Sequence, residues 1–142
     1  MNTSKLFVLC IFCAIPICVP FNFKLRLATP IVPYVEPTVL KFIKNEKFTI
    51  KQTQNERTET LSLLMCVSVQ AKEANKFDTR FAVCQNEIIA KVEEMLQATT
   101  FAERIEPDST TIKKRAKTVI NQVLGVDYVV EVLVSEVNYE VN

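Results

Sequence analysis

Asn121-Gln122-Val123-Leu124-Gly125-Val126-Asp127-Tyr128-Val129-Val130-Glu131-Val132-Leu133-Val134 joins a helical pattern to a β-rich run across the only glycine in the chain. Upstream of the joint, Ile112, Ala116, Val119, Ile120, Val123 and Leu124 recur at three- and four-residue steps and so share one helical face. Glycine adopts the left-handed conformation of a helix stop without a Cβ penalty, and Gly125 stands where this helix must end. β-branched residues dominate the positions that follow, a run too short for another helix and typical of a strand.

Working back from the joint, Ser109 or Thr110 opens the helix, and Thr100-Phe101-Ala102-Glu103 has the spacing of a capping box for a short helix that Pro107 closes. Asn75 is the expected cap of a longer helix, with Asp78 in its first turn facing the positive end of the dipole. Its apolar stripe is Phe77, Phe81, Cys84, Ile88, Val92, Met95 and Leu96. Ahead of it Leu61, Leu63, Met65, Val67 and Val69 alternate with Ser62, Leu64, Cys66, Ser68 and Gln70, the pattern of a half-buried strand. Val39–Ile43 and Lys47–Lys51 read as two shorter strands separated by Lys44-Asn45-Glu46. Past the joint the phase changes: Tyr128, Val130, Val132 and Val134 share one face, and Val137, Tyr139 and Val141 the other. A bulge or break near Ser135-Glu136 is therefore expected. The fold class is α+β, a mixed or antiparallel sheet packed on three helices.

The N-terminal third is of another kind. Leu6–Phe23 is an uncharged run of 18 residues. At about 1.5 Å per residue it makes a helix of about 27 Å, close to the roughly 30 Å of a bilayer's hydrocarbon core. It is either a secretion signal or an anchor. The stretch Ala14-Ile15-Pro16-Ile17-Cys18 lacks small residues at the spacing a cleavage site needs, so the expectation is an uncleaved anchor. Five of the six prolines lie at or before Pro37, which makes the segment up to Pro37 a stiff spacer. The organisation is thus residues 1–23 membrane anchor, 24–37 proline-rich spacer and 38–142 folded domain. Lys24 and Arg26 after the run outweigh Lys5 before it, a balance that by itself places the domain on the cytoplasmic side.

Composition removes many functions. The 142 residues carry a net charge of +1, far from the basic balance of most nucleic-acid-binding domains. There is no histidine, which excludes Ser-His and Cys-His nucleophile pairs and His-ligated zinc. A single glycine excludes a phosphate-cradling loop of the Walker or dinucleotide type.

Four groups of side chains are candidate sites. Cys10 and Cys13 have C-x-x-C spacing but sit inside the apolar run with no second pair. Cys66 and Cys84 can be a disulfide or two buried thiols, and the outward alternation of Cys66 favours the thiols. Lys113, Lys114, Arg115 and Lys117 cluster in the first half of a helix, where the dipole opposes positive charge. They are a solvated face or a contact for anionic lipid or an acidic protein. Glu93, Glu94, Glu103, Glu106 and Asp108 supply carboxylates without the aromatic and polar neighbours of a substrate cleft. No catalytic, cofactor-binding or metal-ligating residue is assigned, and the chain is not expected to be an enzyme.

The arrangement resembles the flagellar basal-body-associated FliL family from about Tyr34 to Val137. The resemblance rests on Tyr34-Val35-Glu36-Pro37, the Leu61–Val69 strand, Asn86-Glu87-Ile88-Ile89, and Val119-Ile120-Asn121-Gln122-Val123-Leu124-Gly125 followed by Val129–Glu136. It implies a domain similar to the stomatin/prohibitin fold, periplasmic, on a single inner-membrane span. The implied protein is a non-enzymatic accessory of bacterial motility that self-associates around the stator units of the motor and supports torque or stator stability. Its partners would be stator and motor proteins, further copies of itself and the membrane, with no nucleic acid, cofactor or small-molecule substrate. The chain departs from the family in a cytoplasmic tail of about five residues and in Lys24 and Arg26 on the outer side. A second resemblance, to secreted cystatin-like inhibitors of cysteine proteases, rests on Phe81-Ala82-Val83, Gln122-Val123-Leu124-Gly125 and Val126-Asp127-Tyr128. It requires a hairpin at Gln122–Gly125.

Overall fold

A computed structural model of the chain describes residues 33–142. The apolar run, the Cys10/Cys13 pair and most of the spacer lie outside the described residues. Among those described, no helix is long and apolar enough to cross a membrane.

Residues Glu36–Asn142 form one compact unit built on strand β3 (Arg57–Gln70). Its 14 residues let two shorter strands share one of its edges end to end. β1 (Thr38–Phe42) pairs with Cys66–Gln70, and β2 (Phe48–Gln54) pairs with Arg57–Leu63. β4 (Val129–Val141) runs along the other edge, from Glu59 to Val69. Every pairing is antiparallel, which decides between the two sheet types the sequence left open. β2 and β3 extend beyond the expected strands because Asn55 and Glu56, at φ 51° and 66°, make a two-residue hairpin turn between them. Two central residues at positive φ suit the right-handed twist of the strands they join.

Helix α1 (Ala74–Gln97) follows β3 through a single 3₁₀ turn, Ala71–Glu73. That turn displaces the expected cap. Glu73 occupies the N-cap position and Asn75 lies inside the first turn, where its carbonyl accepts from the Thr79 hydroxyl. Asp78 likewise lies past the first turn and pairs with Lys41 on β1 at 2.8 Å. The stripe itself is as the periodicity predicts. Phe77, Cys84, Ile88, Val92, Met95 and Leu96 are buried, and the Phe81 ring stacks on Phe77 with centroids 5.4 Å apart.

The short helix α2 (Phe101–Arg104) carries the predicted capping box, with Thr100 N–H donating to Glu103 and Glu103 N–H to the Thr100 hydroxyl. Helix α3 (Thr110–Leu124) begins differently. Ser109 adopts a left-handed conformation and makes no side-chain cap; the Glu106 carboxylate accepts from Thr111 N–H instead, at 2.9 Å. At its other end Gly125 has φ 74° and donates its N–H to the Asn121 carbonyl, the left-handed stop read from the sequence.

α1 and α3 pack against each other and cover one face of the sheet. The core is the inward row of β3 (Leu61, Leu63, Met65, Val67, Val69) closed by the α1 stripe and by Ile112, Ala116, Ile120 and Leu124 of α3. Buried among them is Asn121. Its amide oxygen accepts from Val129 N–H at 3.1 Å and its amide nitrogen donates to the Val129 carbonyl at 3.4 Å, so it fixes where β4 begins.

β4 is irregular twice. An extra residue near Val130 turns Val129 and Val132 inward and leaves Val130 exposed, where strict alternation had placed Val130 with Val132. The second break comes where the sequence puts it: Glu136, at φ 51°, lies in the register shift opposite Leu63. Its carboxylate reaches Lys47 at 2.8 Å.

Candidate interaction surface

The carboxylates singled out in the sequence do not converge. Glu93 pairs with Lys44 and Glu94 with Lys91, while Asp108 is exposed. Glu103 accepts from Thr100 and from Arg115 at 3.1 Å. Chiefly the Thr100 backbone N–H, with Arg115 assisting, holds its carboxyl below the usual glutamate value. Each of these groups except Asp108 completes a cap or an ion pair. Among the described residues no cluster of three or more His, Cys, Asp or Glu is placed to hold a metal ion.

Cys66 and Cys84 are free thiols on opposite sides of β3's sheet. Cys84 points into the core from α1. Cys66 pairs with Phe42 and Leu133 on the face without helices, and its burial there pushes the thiol pKa up. That face carries an apolar row across three strands, since Leu40 and Phe42 beside it are each 56% exposed.

One buried polar centre escaped the sequence reading. Arg104 of α2 is 4% exposed. Its guanidinium donates to Glu59 of β3 at 2.9 Å, to the Thr99 hydroxyl at 3.1 Å, to the Thr99 carbonyl at 3.0 Å and to Gln52 of β2. The Tyr139 hydroxyl of β4 is buried beside this group without a hydrogen bond, and burial, with the Glu59 charge, pushes its pKa up. The centre ties β2 and β3 to the short helix. Its only cue in the sequence was an arginine directly after a capping box, a pattern that normally means a solvated side chain.

The basic cluster of α3 is divided by its helical spacing. Arg115 turns toward Glu103, beside a groove of about 480 Å³ between α1 and α3 that Lys91 and Lys114 also line. Lys113, Lys114 and Lys117 flank a second recess of about 290 Å³, whose opposite wall is Val130, Glu131 and Val132 of β4. Lys117 donates to the Val130 carbonyl at 2.8 Å. Lys113 and Lys114 have no acidic partner among the described residues. Two cations without an acidic partner in the positive half of a helix thus border the outer edge of a strand, an arrangement suited to binding an anionic group.

The stretch a cystatin would present as a hairpin, Gln122–Gly125, is the last turn of α3 and its stop. The sequence matches no family model and no curated protein.

Proposed function

We propose that this chain is a membrane-anchored, non-enzymatic accessory of the flagellar motor, with the residue 38–142 domain held in the periplasm, associating with further copies of itself and with stator units. In this reading Leu6–Phe23 is a single inner-membrane span and residues 24–37 set the height of the domain above the bilayer. The domain has the stomatin/prohibitin-like arrangement that the FliL resemblance implies.

The observation that carries the reading is the order of elements around the joint. Three strands, three helices and a final strand follow one another, and the Ile120-Asn121-Gln122-Val123-Leu124-Gly125 block ends a helix that leads directly into β4. The antiparallel α+β core is the coarse form of the expected fold. A sheet with an open outer strand and a row of exposed apolar side chains can join neighbouring subunits.

The test is extraction of the full chain from its native membrane in a mild detergent, with mass measured by light scattering and co-purifying proteins identified. The expected result is an oligomer carrying stator components. A monomer without them refutes the proposal, and an oligomer with an unrelated envelope protein replaces the motor with another partner.

A further inference from the structure

We infer that the trough between α3 and the outer edge of β4 receives an extended acidic segment of a protein partner, added to the sheet as a further strand. The inference does not depend on the motor reading. It starts from β4, which pairs with β3 on one side and with no strand on the other among the described residues. An open strand edge presents backbone N–H and C=O groups that need partners. One of them, the Val130 carbonyl, is held by the ammonium of Lys117.

The two irregularities of β4 define how much edge is usable. Between them Glu131–Ser135 runs in regular register against Ser68–Leu64. Five residues at about 3.4 Å each span about 17 Å, the length of a typical strand. A bulge at either end limits an incoming strand to that window.

Charge then selects the chemistry of the occupant. Lys113 and Lys114, with Lys117 one turn further on, stand along the helical wall, and Glu131 is the one acid lining the recess. Three cations against one anion leave the trough positive, and the N-terminal half of α3 adds its dipole to that field. Carboxylates at alternate positions of an added strand would face these lysines while its backbone paired with β4. Strand addition of this kind draws affinity from main-chain hydrogen bonds and specificity from side-chain contacts. An anionic bilayer has the same charge, but it is flat, and these lysines line a concave recess beside a strand edge.

The experiment uses the full chain in a neutral detergent and a fluorescent peptide of alternating glutamate and valine, followed by anisotropy. Three controls run beside it: the same peptide with alternate backbone nitrogens methylated, a lysine-for-glutamate version, and micelles doped with phosphatidylglycerol. The acidic peptide should bind saturably and perturb the amide resonances of Glu131–Ser135. Methylation, lysine replacement and the double variant K113E/K114E should each weaken binding about tenfold or more, the loss expected for each 1.4 kcal/mol. Equal binding of the methylated peptide overturns strand addition without recourse to any variant. Absence of saturable peptide binding, or a lysine-dependent association with phosphatidylglycerol alone, overturns the peptide partner.

Discussion

Replacing Arg104 with methionine should destabilise the domain by about 3 kcal/mol, since breaking a buried ion pair by removing one partner costs about 3–5 kcal/mol. The lower end applies because the Glu59 side chain is 29% exposed and regains part of its hydration when the guanidinium is gone. The Thr99 carbonyl and Gln52 lose donors at the same time. For a domain of this size the loss corresponds to a fall in Tm of about 12 °C, taking about 4 °C per kcal/mol. The reciprocal variant, Glu59→Leu, should cost at least as much, because it strands a guanidinium that is almost wholly buried. Combining the two should recover part of the loss, so that the double variant is at least about 2 kcal/mol more stable than the sum of the singles. Urea unfolding of the full chain in detergent, followed by circular dichroism, gives all three values. Single variants within about 0.5 kcal/mol of the parent, the range of ordinary surface substitutions, would refute the assignment of Arg104 as the tie between α2 and the sheet. Strict additivity would refute the pairing with Glu59.

Three further outcomes follow from local geometry. Asn121→Leu keeps the branching of the side chain but orphans the N–H and C=O of Val129, so unfolding measurements should show a loss of about 2–4 kcal/mol, and hydrogen exchange at Val129 should speed up. Glu56→Gly removes a Cβ from a left-handed turn position and should stabilise the β2–β3 hairpin by about 0.5–1 kcal/mol, readable as a higher urea midpoint with unchanged slope. Glu103 has its folded pKa depressed, so its contribution is present above the unfolded glutamate value of about 4.3 and is lost as pH falls through the lower folded value. Glu103→Gln should therefore flatten the acid limb of the stability–pH curve, and an unchanged limb would show that Thr100 and Arg115 do not hold the charged form.

What the sequence disclosed and what it hid divide by range. The α1 and α3 stripes, the Thr100/Glu103 box and the Gly125 stop depend on neighbours within one or two helical turns, and all were legible. The hairpin at Asn55-Glu56 was not, because a turn with two left-handed residues is normally announced by a glycine and this one has glutamate in its place. Asn121 adjoins the apolar stripe in sequence, and its role appears only once β4 is folded back against α3. Arg104 is the clearest case, since its partners Gln52 and Glu59 lie 52 and 45 residues away. The phase change in β4 was visible as a pattern, yet strict alternation assigned Val130 to the wrong side because the bulge there depends on the pairing with Val69. The lysines of α3 were recognisable as a cluster. That three of them border a strand edge follows only from the packing of α3 beside β4.

The proposed place of the domain, in the cell envelope around the rotating motor, can be decided by imaging a functional fluorescent fusion in swimming cells of the source organism. Foci at the flagellar bases that disperse when the stator genes are deleted are the expected result. An even distribution around the membrane, or foci that persist without stators, would contradict it.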